Sequence, residues 1–211
     1  MAYQFVWHFT DLPEKVVDII EDDLKDKFDT KMKDSLLYGA SIDKDIRNSQ
    51  STWVPTSHWV AGFIWHYVQK ANRENFLYDL SHIDGENMQY TRYSEGYYGW
   101  HNDSALPTHY KPSSTAINGE DSVNNEDLRN DFLNKSCEQI RKLSFTLQLS
   151  HPDDYEGGNI EFMGVDDAKY IAPRQRGSIV FFDSRMKHRV CEVTKGVRKS
   201  IVGWVIGPRW K

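Results

Sequence analysis

Residues 176–205 read RGSIVFFDSRMKHRVCEVTKGVRKSIVGWV, and this stretch decides the fold class. It carries three short runs rich in Val, Ile and Phe, at Ser178–Phe182, Val190–Val193 and Ser200–Ile206, parted by polar and turn-forming residues. Runs of that length and composition predict strands. Upstream, LSFTLQL at Leu143–Leu149 alternates apolar with polar residues, the period-two pattern of a half-buried strand. Met88–Tyr93 and Asn159–Met163 read as further strands. Turn signals stand between them at Ser94-Glu95-Gly96, at DDYEGG (Asp153–Gly158) and at Pro173–Gly177. Short strands at close spacing predict a sandwich or barrel.

Ahead of these strands the pattern is mainly helical. Residues 3–9 predict a short strand, and Asp11-Leu12-Pro13-Glu14 predicts a helix start, with Asp or Thr as cap and Pro in the first turn. Val16, Val17, Ile19, Ile20 and Leu24 supply one apolar face. A second helix is expected over Ser57–Leu80, with Trp59, Phe63, Tyr67 and Ala71 stacked on one side as core. The expected class is therefore α+β, mainly β, within one domain spanning residues 1–211. Residues 1–85 form a helical support region and residues 86–211 a β core. A long polar connection interrupts that core at 104–142, with room for a short helix at Glu126–Cys137. Connections of that length are usually lids, binding loops or solvated segments.

Composition bounds the function. The chain has 211 residues, 39% of them hydrophobic and 27% charged, which is ordinary for a soluble globular protein. Its net charge of −5 and lack of a Lys/Arg-rich stripe argue against a general nucleic-acid binder. Cys137 and Cys191 make no disulfide framework, which points to a reducing cytoplasm. The opening MAYQFVWHFTDLPEK predicts no signal peptide. No apolar run approaches the roughly 20 residues that span a bilayer, so no membrane association is expected.

One constellation carries chemistry. His101 and Asp103 form a His-x-Asp pair, His188 follows far downstream, and Arg198 stands ten positions after it. Residues i and i+2 of a strand share a face, so His101 and Asp103 can address one metal. Closing the sheets on each other would bring His188 to the same point. Two imidazoles and one carboxylate suit a non-haem Fe(II) with open positions; Zn²⁺ is the competing ion. Arg198 can neutralise the far carboxylate of a dicarboxylic cosubstrate. Lys199 is its neighbour and must point to the opposite face, whereas Ser200 and Val202 share the face of Arg198. Tyr98 and Trp100 flank the metal motif, either lining a channel or packing. His58, His66, His82, His109 and His151 show no partner pattern.

In its surroundings the motif is specific. Tyr93–Asp103 reads YSEGYYGWHND, LSFTLQLS is followed by Glu-Gly-Gly at 156–158, and Gly177–His188 leads to Val197-Arg198-Lys199-Ser200 and Trp204. Over roughly Met88–Trp210, apart from the long connection, the chain resembles the prolyl 4-hydroxylase-like Fe(II)/2-oxoglutarate dioxygenases. The resemblance implies a double-stranded β-helix, or jelly roll. It implies His101, Asp103 and His188 as iron ligands and Arg198 as the residue binding the distal carboxylate of 2-oxoglutarate, with Tyr93 and Ser200 as further donors to it. It also implies Fe(II) as cofactor, 2-oxoglutarate and O₂ as cosubstrates, and ascorbate as an expected reductant. The implied reaction hydroxylates a C–H bond and releases succinate and CO₂.

The leading expectation is hydroxylation of a prolyl or other residue in a peptide or protein partner. A free amino acid or other small molecule is the second reading. Demethylation of a nucleic-acid base is disfavoured by the acidic balance. A jelly-roll module that binds metal without catalysis is the reading from a different class, but such a module has no physical need for a buried cation ten residues past a ligand.

Overall fold

The computed structural model describes residues 5–35, 43–104, 139–164 and 167–210. The expected helix at Glu126–Cys137, most of the 104–142 connection, and His109 lie outside the described residues. The N-terminal part supplies β1 (Val6–Phe9), α1 (Glu14–Phe28), β2 (Lys33–Asp34), β3 (Gln50–Pro55), α2 (Trp59–Ala71) and β4 (His82–Ile83). Then follow β5 (Asn87–Ser94), β6 (Tyr98–His101), β7 (Gln139–Gln148), β8 (Tyr155–Gly157), β9 (Ile160–Met163), β10 (Lys169–Ile171), β11 (Ile179–Asp183), β12 (His188–Val190) and β13 (Val193–Pro208). The larger sheet runs β1-β11-β7-β13-β5-β3-β2, with β4 and β8 also paired to β13, and the smaller runs β10-β9-β12-β6. Every strand pair among the described residues is antiparallel. These two sheets form the jelly roll, and the helices cover the outer face of the larger one.

Alternation along the strands builds the two faces. Leu143, Phe145 and Leu147 of β7, Ile179 and Phe181 of β11, Ile201 and Val205 of β13, and Met88 and Tyr90 of β5 pack into one core with Val17, Ile20 and Leu24 of α1 and Ile64 and Val68 of α2. Each large apolar side chain buried there contributes roughly 1.5–3 kcal/mol. Gly203 lets Phe145, its cross-strand partner, lie against β13, since a Cβ there would stand 2.4 Å from the Phe145 ring. Ion pairs pin α1 against the larger sheet: Arg176 bonds Asp18 and Glu21, and Lys199 bonds Glu21.

Several expectations need correction. The N-terminal region holds more than its two helices and the strand expected at residues 3–9, which is β1: β2 and β3, not expected, also extend the larger sheet. β3 has a Pro at its end and a mixed pattern, which hid it. The second helix stops at Ala71, continues as one π-turn over Asn72–Phe76, and ends at Leu77 in the left-handed region (φ 54°). Its buried stripe is Val60, Ile64, Val68 and Ala71, not the aromatic row; Trp59 is exposed and donates to Asp23 instead. On α1 the buried stripe is Val17, Ile20, Leu24 and Phe28, while Ile19 is exposed. Pro13 holds the capping position without a side-chain cap. The strand expected at Val190–Val193 is two strands, and His188 opens the first of them rather than preceding it.

Candidate metal centre

β6 and β12 are neighbours in the smaller sheet, and their register sets His101 directly opposite His188. Directly opposed residues have Cβ atoms roughly 4.5–5.5 Å apart, so pairing alone places the imidazoles side by side, with ring centroids 4.2 Å apart. β6 ends at His101. Asp103 sits in the turn that follows, where its backbone N–H and that of Ser104 both donate to the Ser184 carbonyl. One Asp103 oxygen lies 3.6 Å from His101 Nε2 and the other 3.4 Å from His188 Nε2. One ligand atom from each of the three residues falls within 4.8 Å of the others.

The orientation of both rings is fixed from behind. The Nδ1 of His101 bonds the Gly99 carbonyl at 2.8 Å, and that of His188 bonds the Met186 carbonyl at 2.9 Å. A neutral imidazole donating from Nδ1 presents a lone pair at Nε2, the arrangement of a metal-ligating histidine. Metal–ligand bonds of about 2.0–2.2 Å place donors on one face of an ion roughly 3 Å apart, so a small contraction of this triad fits an ion. Burial, then His188, depresses His101 to about 4 against the upward pull of Asp103 and Gly99. Burial pushes the Asp103 carboxyl up, but His188, His101 and Ser144 outweigh it and hold it below the usual range. Both residues are thus ready to ligate at neutral pH.

Arg198 enters on the same side of the larger sheet. It is 2% exposed, and its cross-strand partner is Tyr93, whose ring centroid lies 5.6 Å from the guanidinium. Among the described residues no carboxylate pairs with it: its neighbours are the Tyr155 hydroxyl, Tyr93 and a second cation, Arg174. Burial lowers its pKa. Ser200, two residues on, is fully buried, and its Oγ has no hydrogen-bond partner among the described residues. A buried cation without an anion, next to an orphaned hydroxyl, fits a carboxylate ligand. Lys199 points the other way, to Glu21 on α1.

Gly157 and Gly158 both have positive φ, +74° and +64°. A Cβ on Gly158 would stand 2.9 Å from Val193 Cγ2 and 3.1 Å from Arg198 Cδ, so the glycine makes space for the arginine. Tyr98 stacks on His101 with centroids 3.6 Å apart. Trp100 lies on the other face, against Arg189 and Lys169. The channel-or-packing alternative therefore separates: Tyr98 is inside and Trp100 outside. Sequence reasoning missed Tyr155, Ser144 and Arg47. Tyr155 stands immediately before the Glu-Gly-Gly at 156–158, whereas Arg47 lies in an irregular segment with no periodicity to flag it.

The 2OG-Fe(II) oxygenase superfamily model matches residues 88–206. A PKHD-type hydroxylase of Synechococcus sp. (strain CC9311) is 43% identical over 63 residues, 30% of this chain and 28% of that protein. One from Hyphomonas neptunium is 34% identical over 102 residues, 48% of this chain and 45% of that protein. The matched part thus spans less than half the length of these curated relatives. Among solved structures, a Pseudomonas putida prolyl-4-hydroxylase superposes with a TM-score of 0.64 at 15% identity, covering 98% of this chain and 94% of that one. A Trichoplax adhaerens prolyl hydroxylase, in complex with a hypoxia inducible factor peptide fragment, gives 0.70 at 11% identity, covering 96% and 84%. At these identities the solved structures speak to the fold alone, and they agree with the jelly roll. With the family match extending over more than half of its length and enclosing the His-Asp-His triad, the chain belongs to the 2OG-Fe(II) oxygenase superfamily.

Proposed function

We propose that the protein is an Fe(II)- and 2-oxoglutarate-dependent dioxygenase that hydroxylates a prolyl residue of a peptide or protein, releasing succinate and CO₂. In this reading His101, Asp103 and His188 hold the iron. Arg198 binds the distal carboxylate of 2-oxoglutarate, and Ser200 and Tyr93 donate hydrogen bonds to it. Iron with 2-oxoglutarate and O₂ supplies the oxidation of an unactivated C–H bond, with ascorbate as reductant. The chain's own task is positional. The Gly99 and Met186 carbonyls keep both Nε2 atoms free of protons and aimed inward. Tyr98 limits the motion of the His101 ring by stacking on it. Asp103 stays ionised and therefore able to ligate.

The observation that carries this reading is Arg198, a fully enclosed guanidinium without a carboxylate partner among the described residues. A module that only binds a metal gains nothing from such a group, whereas a dicarboxylate cosubstrate requires it. The prolyl preference rests on the motif resemblance to the prolyl 4-hydroxylase-like enzymes over Tyr93–Asp103 and Gly177–Ser200, whose fold two prolyl hydroxylases share.

The test is anaerobic titration with Fe(II) and 2-oxoglutarate, then admission of O₂ and measurement of succinate, with and without proline-containing peptides. A metal-to-ligand absorption band, uncoupled succinate formation, and hydroxyproline in the peptides are expected. Tight Zn²⁺ binding with no band and no succinate would overturn the reading in favour of a non-catalytic metal-binding jelly roll.

A further inference from the structure

A second buried cation sits beside the triad. Arg47 precedes β3 and is 7% exposed. Its Nε donates to Ser49 Oγ at 2.9 Å and its Nη2 to Gln89 Oε1 at 2.7 Å. Its Nη1 bonds no described residue, and no carboxylate pairs with the group among the described residues. The partners it does have are neutral. They satisfy donors without compensating charge, so the guanidinium is largely withdrawn from water with no counter-ion among the described residues.

Its location gives the cation a use. The Arg47 guanidinium lies 4.8 Å from the centroid of the Tyr98 ring, and His101 stacks on that same ring at 3.6 Å. Tyr98 is thus the common neighbour of the cation and the metal triad. Gln89, which holds Arg47, shares the inward face of β5 with Thr91 and Tyr93, and these three oppose Val202, Ser200 and Arg198. Arg198 and Gln89, the residue that holds Arg47, are therefore four residues apart along the paired strands, roughly 13 Å between backbones at about 3.3 Å per residue. The carboxylate held at Arg198 is therefore not the group that faces Gln89 and Arg47, and the described residues supply no carboxylate there.

We propose that Arg47 is a carboxylate subsite for the primary substrate, which places an anionic group of the substrate beside Tyr98 while the C–H bond to be oxidised faces the triad. The inference rests on the dioxygenase reading and narrows its substrate class to carboxylate-bearing molecules. Two sources share that chemistry, the α-carboxylate of a free amino acid and the terminal carboxylate of a peptide. The planar fork of arginine suits a carboxylate held through two N–H groups.

The test uses the full chain loaded with Mn(II) and saturating 2-oxoglutarate, so that Arg198 is occupied and no turnover occurs. Free L-amino acids and glycyl dipeptides, each as acid and as C-terminal amide, are titrated by calorimetry. At least one acid should bind ten-fold or more tightly than its amide. Arg47→Gln should erase that difference, and Arg47→Lys should retain part of it. A preference seen with free amino acids identifies the first source, and one seen only with dipeptides identifies the second. The proposal is overturned if no acid is preferred over its amide, or if the preference persists in Arg47→Gln. The acid–amide comparison in the unaltered protein needs no variant to fold. Hydroxyproline analysis with Fe(II) and O₂ separates this failure from failure of the prolyl reading. Turnover of an uncharged prolyl peptide amide would sink the Arg47 subsite alone, and oxidation of a carboxylate-dependent ligand other than a prolyl compound would sink the prolyl preference alone.

Discussion

Replacing Arg198 by Met should pull binding and stability in opposite directions. Methionine keeps an unbranched chain of similar length and removes the charge. If the guanidinium binds a carboxylate, its loss removes one partner of a buried, hydrogen-bonded charge pair, which costs about 2–5 kcal/mol. At 1.4 kcal/mol per factor of ten, the affinity for 2-oxoglutarate falls roughly 30-fold to a few thousand-fold. The ligand-free protein should suffer little. Arg198 lies against Tyr93, Tyr155 and another cation, Arg174. Losing the Tyr155 hydrogen bond costs about 1 kcal/mol, and losing the Tyr93 ring contact about 0.5–1 kcal/mol. Against this, exchanging buried ionic groups for apolar ones of similar volume stabilises by about 1–4 kcal/mol. The net change lies between a loss of about 1 kcal/mol and a gain of about 2.5 kcal/mol, centred on a small gain, so Tm stays within about 4 °C below and about 10 °C above the unaltered protein at roughly 2–4 °C per kcal/mol for a chain of this size. Calorimetric 2-oxoglutarate titration of the Mn(II)-loaded variant, with thermal melts of the ligand-free form, measures both. A clear loss of Tm with unchanged 2-oxoglutarate affinity would make Arg198 a structural residue and refute the reasoning.

Other perturbations separate the remaining roles. His101→Ala should abolish metal binding while the ligand-free protein still folds, as read by metal titration and circular dichroism; wild-type turnover in this variant would refute the ligand assignment. Because burial, then His188, pushes His101 from its ordinary 6.5 down to about 4, the unfolded chain between those values holds a proton that the folded chain lacks. Stability of the metal-free protein should therefore fall as pH drops from 6.5 towards 4, by at most about 3 kcal/mol at 1.36 kcal/mol per pH unit. Urea unfolding of His101→Ala should show a shallower loss over that window, and an equal loss would remove His101 as its source. Ser200→Ala should leave ligand-free stability unchanged or raised, since its hydroxyl is buried without a partner, and should weaken 2-oxoglutarate about five-fold for one hydrogen bond of about 1 kcal/mol. Gly158→Ala forces a side chain onto positive φ and into Val193 and Arg198; a loss of about 1–3 kcal/mol together with weaker 2-oxoglutarate binding is expected in denaturation and titration.

The triad residues were legible because their chemistry is local, although β6 was not read as a strand and β12 was placed two residues late. A His-x-Asp pair, a histidine at a strand end and an arginine at a fixed distance are spacings along one chain, and the jelly roll converts them into proximity. Helix existence was legible too, but helix orientation was not. The row Trp59, Phe63, Tyr67 is more aromatic than the row Val60, Ile64, Val68, yet the second is buried. The indole of Trp59 finds Asp23 at the surface, and slim β-branched residues pack closer to the sheet. β3 was hidden for another reason: Gln50–Pro55 pairs through its backbone with β5, and only Val54 and Thr52 of its side chains are buried. Arg47 could not be read at all, because its position depends on an irregular segment returning against Tyr98.

The alternation that made β7 legible also carried a second meaning. A strand with apolar and polar residues in turn ordinarily buries one face and wets the other. Here both faces are enclosed: Leu143, Phe145 and Leu147 meet the helices, while Ser144, Thr146 and Gln148 are at most 5% exposed. Gln89 and Thr91 of β5 and Ser200 of β13 repeat the pattern. Enclosing so many hydroxyls and amides is costly unless they are hydrogen-bonded, and at Thr146 and Ser200 the hydroxyl finds no partner among the described residues. An apolar lining would give a more stable sandwich. The polar inner face makes sense when its partners arrive from outside the chain, and Arg198 and Arg47, both buried on that face without a carboxylate among the described residues, state the required charge of those partners: negative, at two separate places.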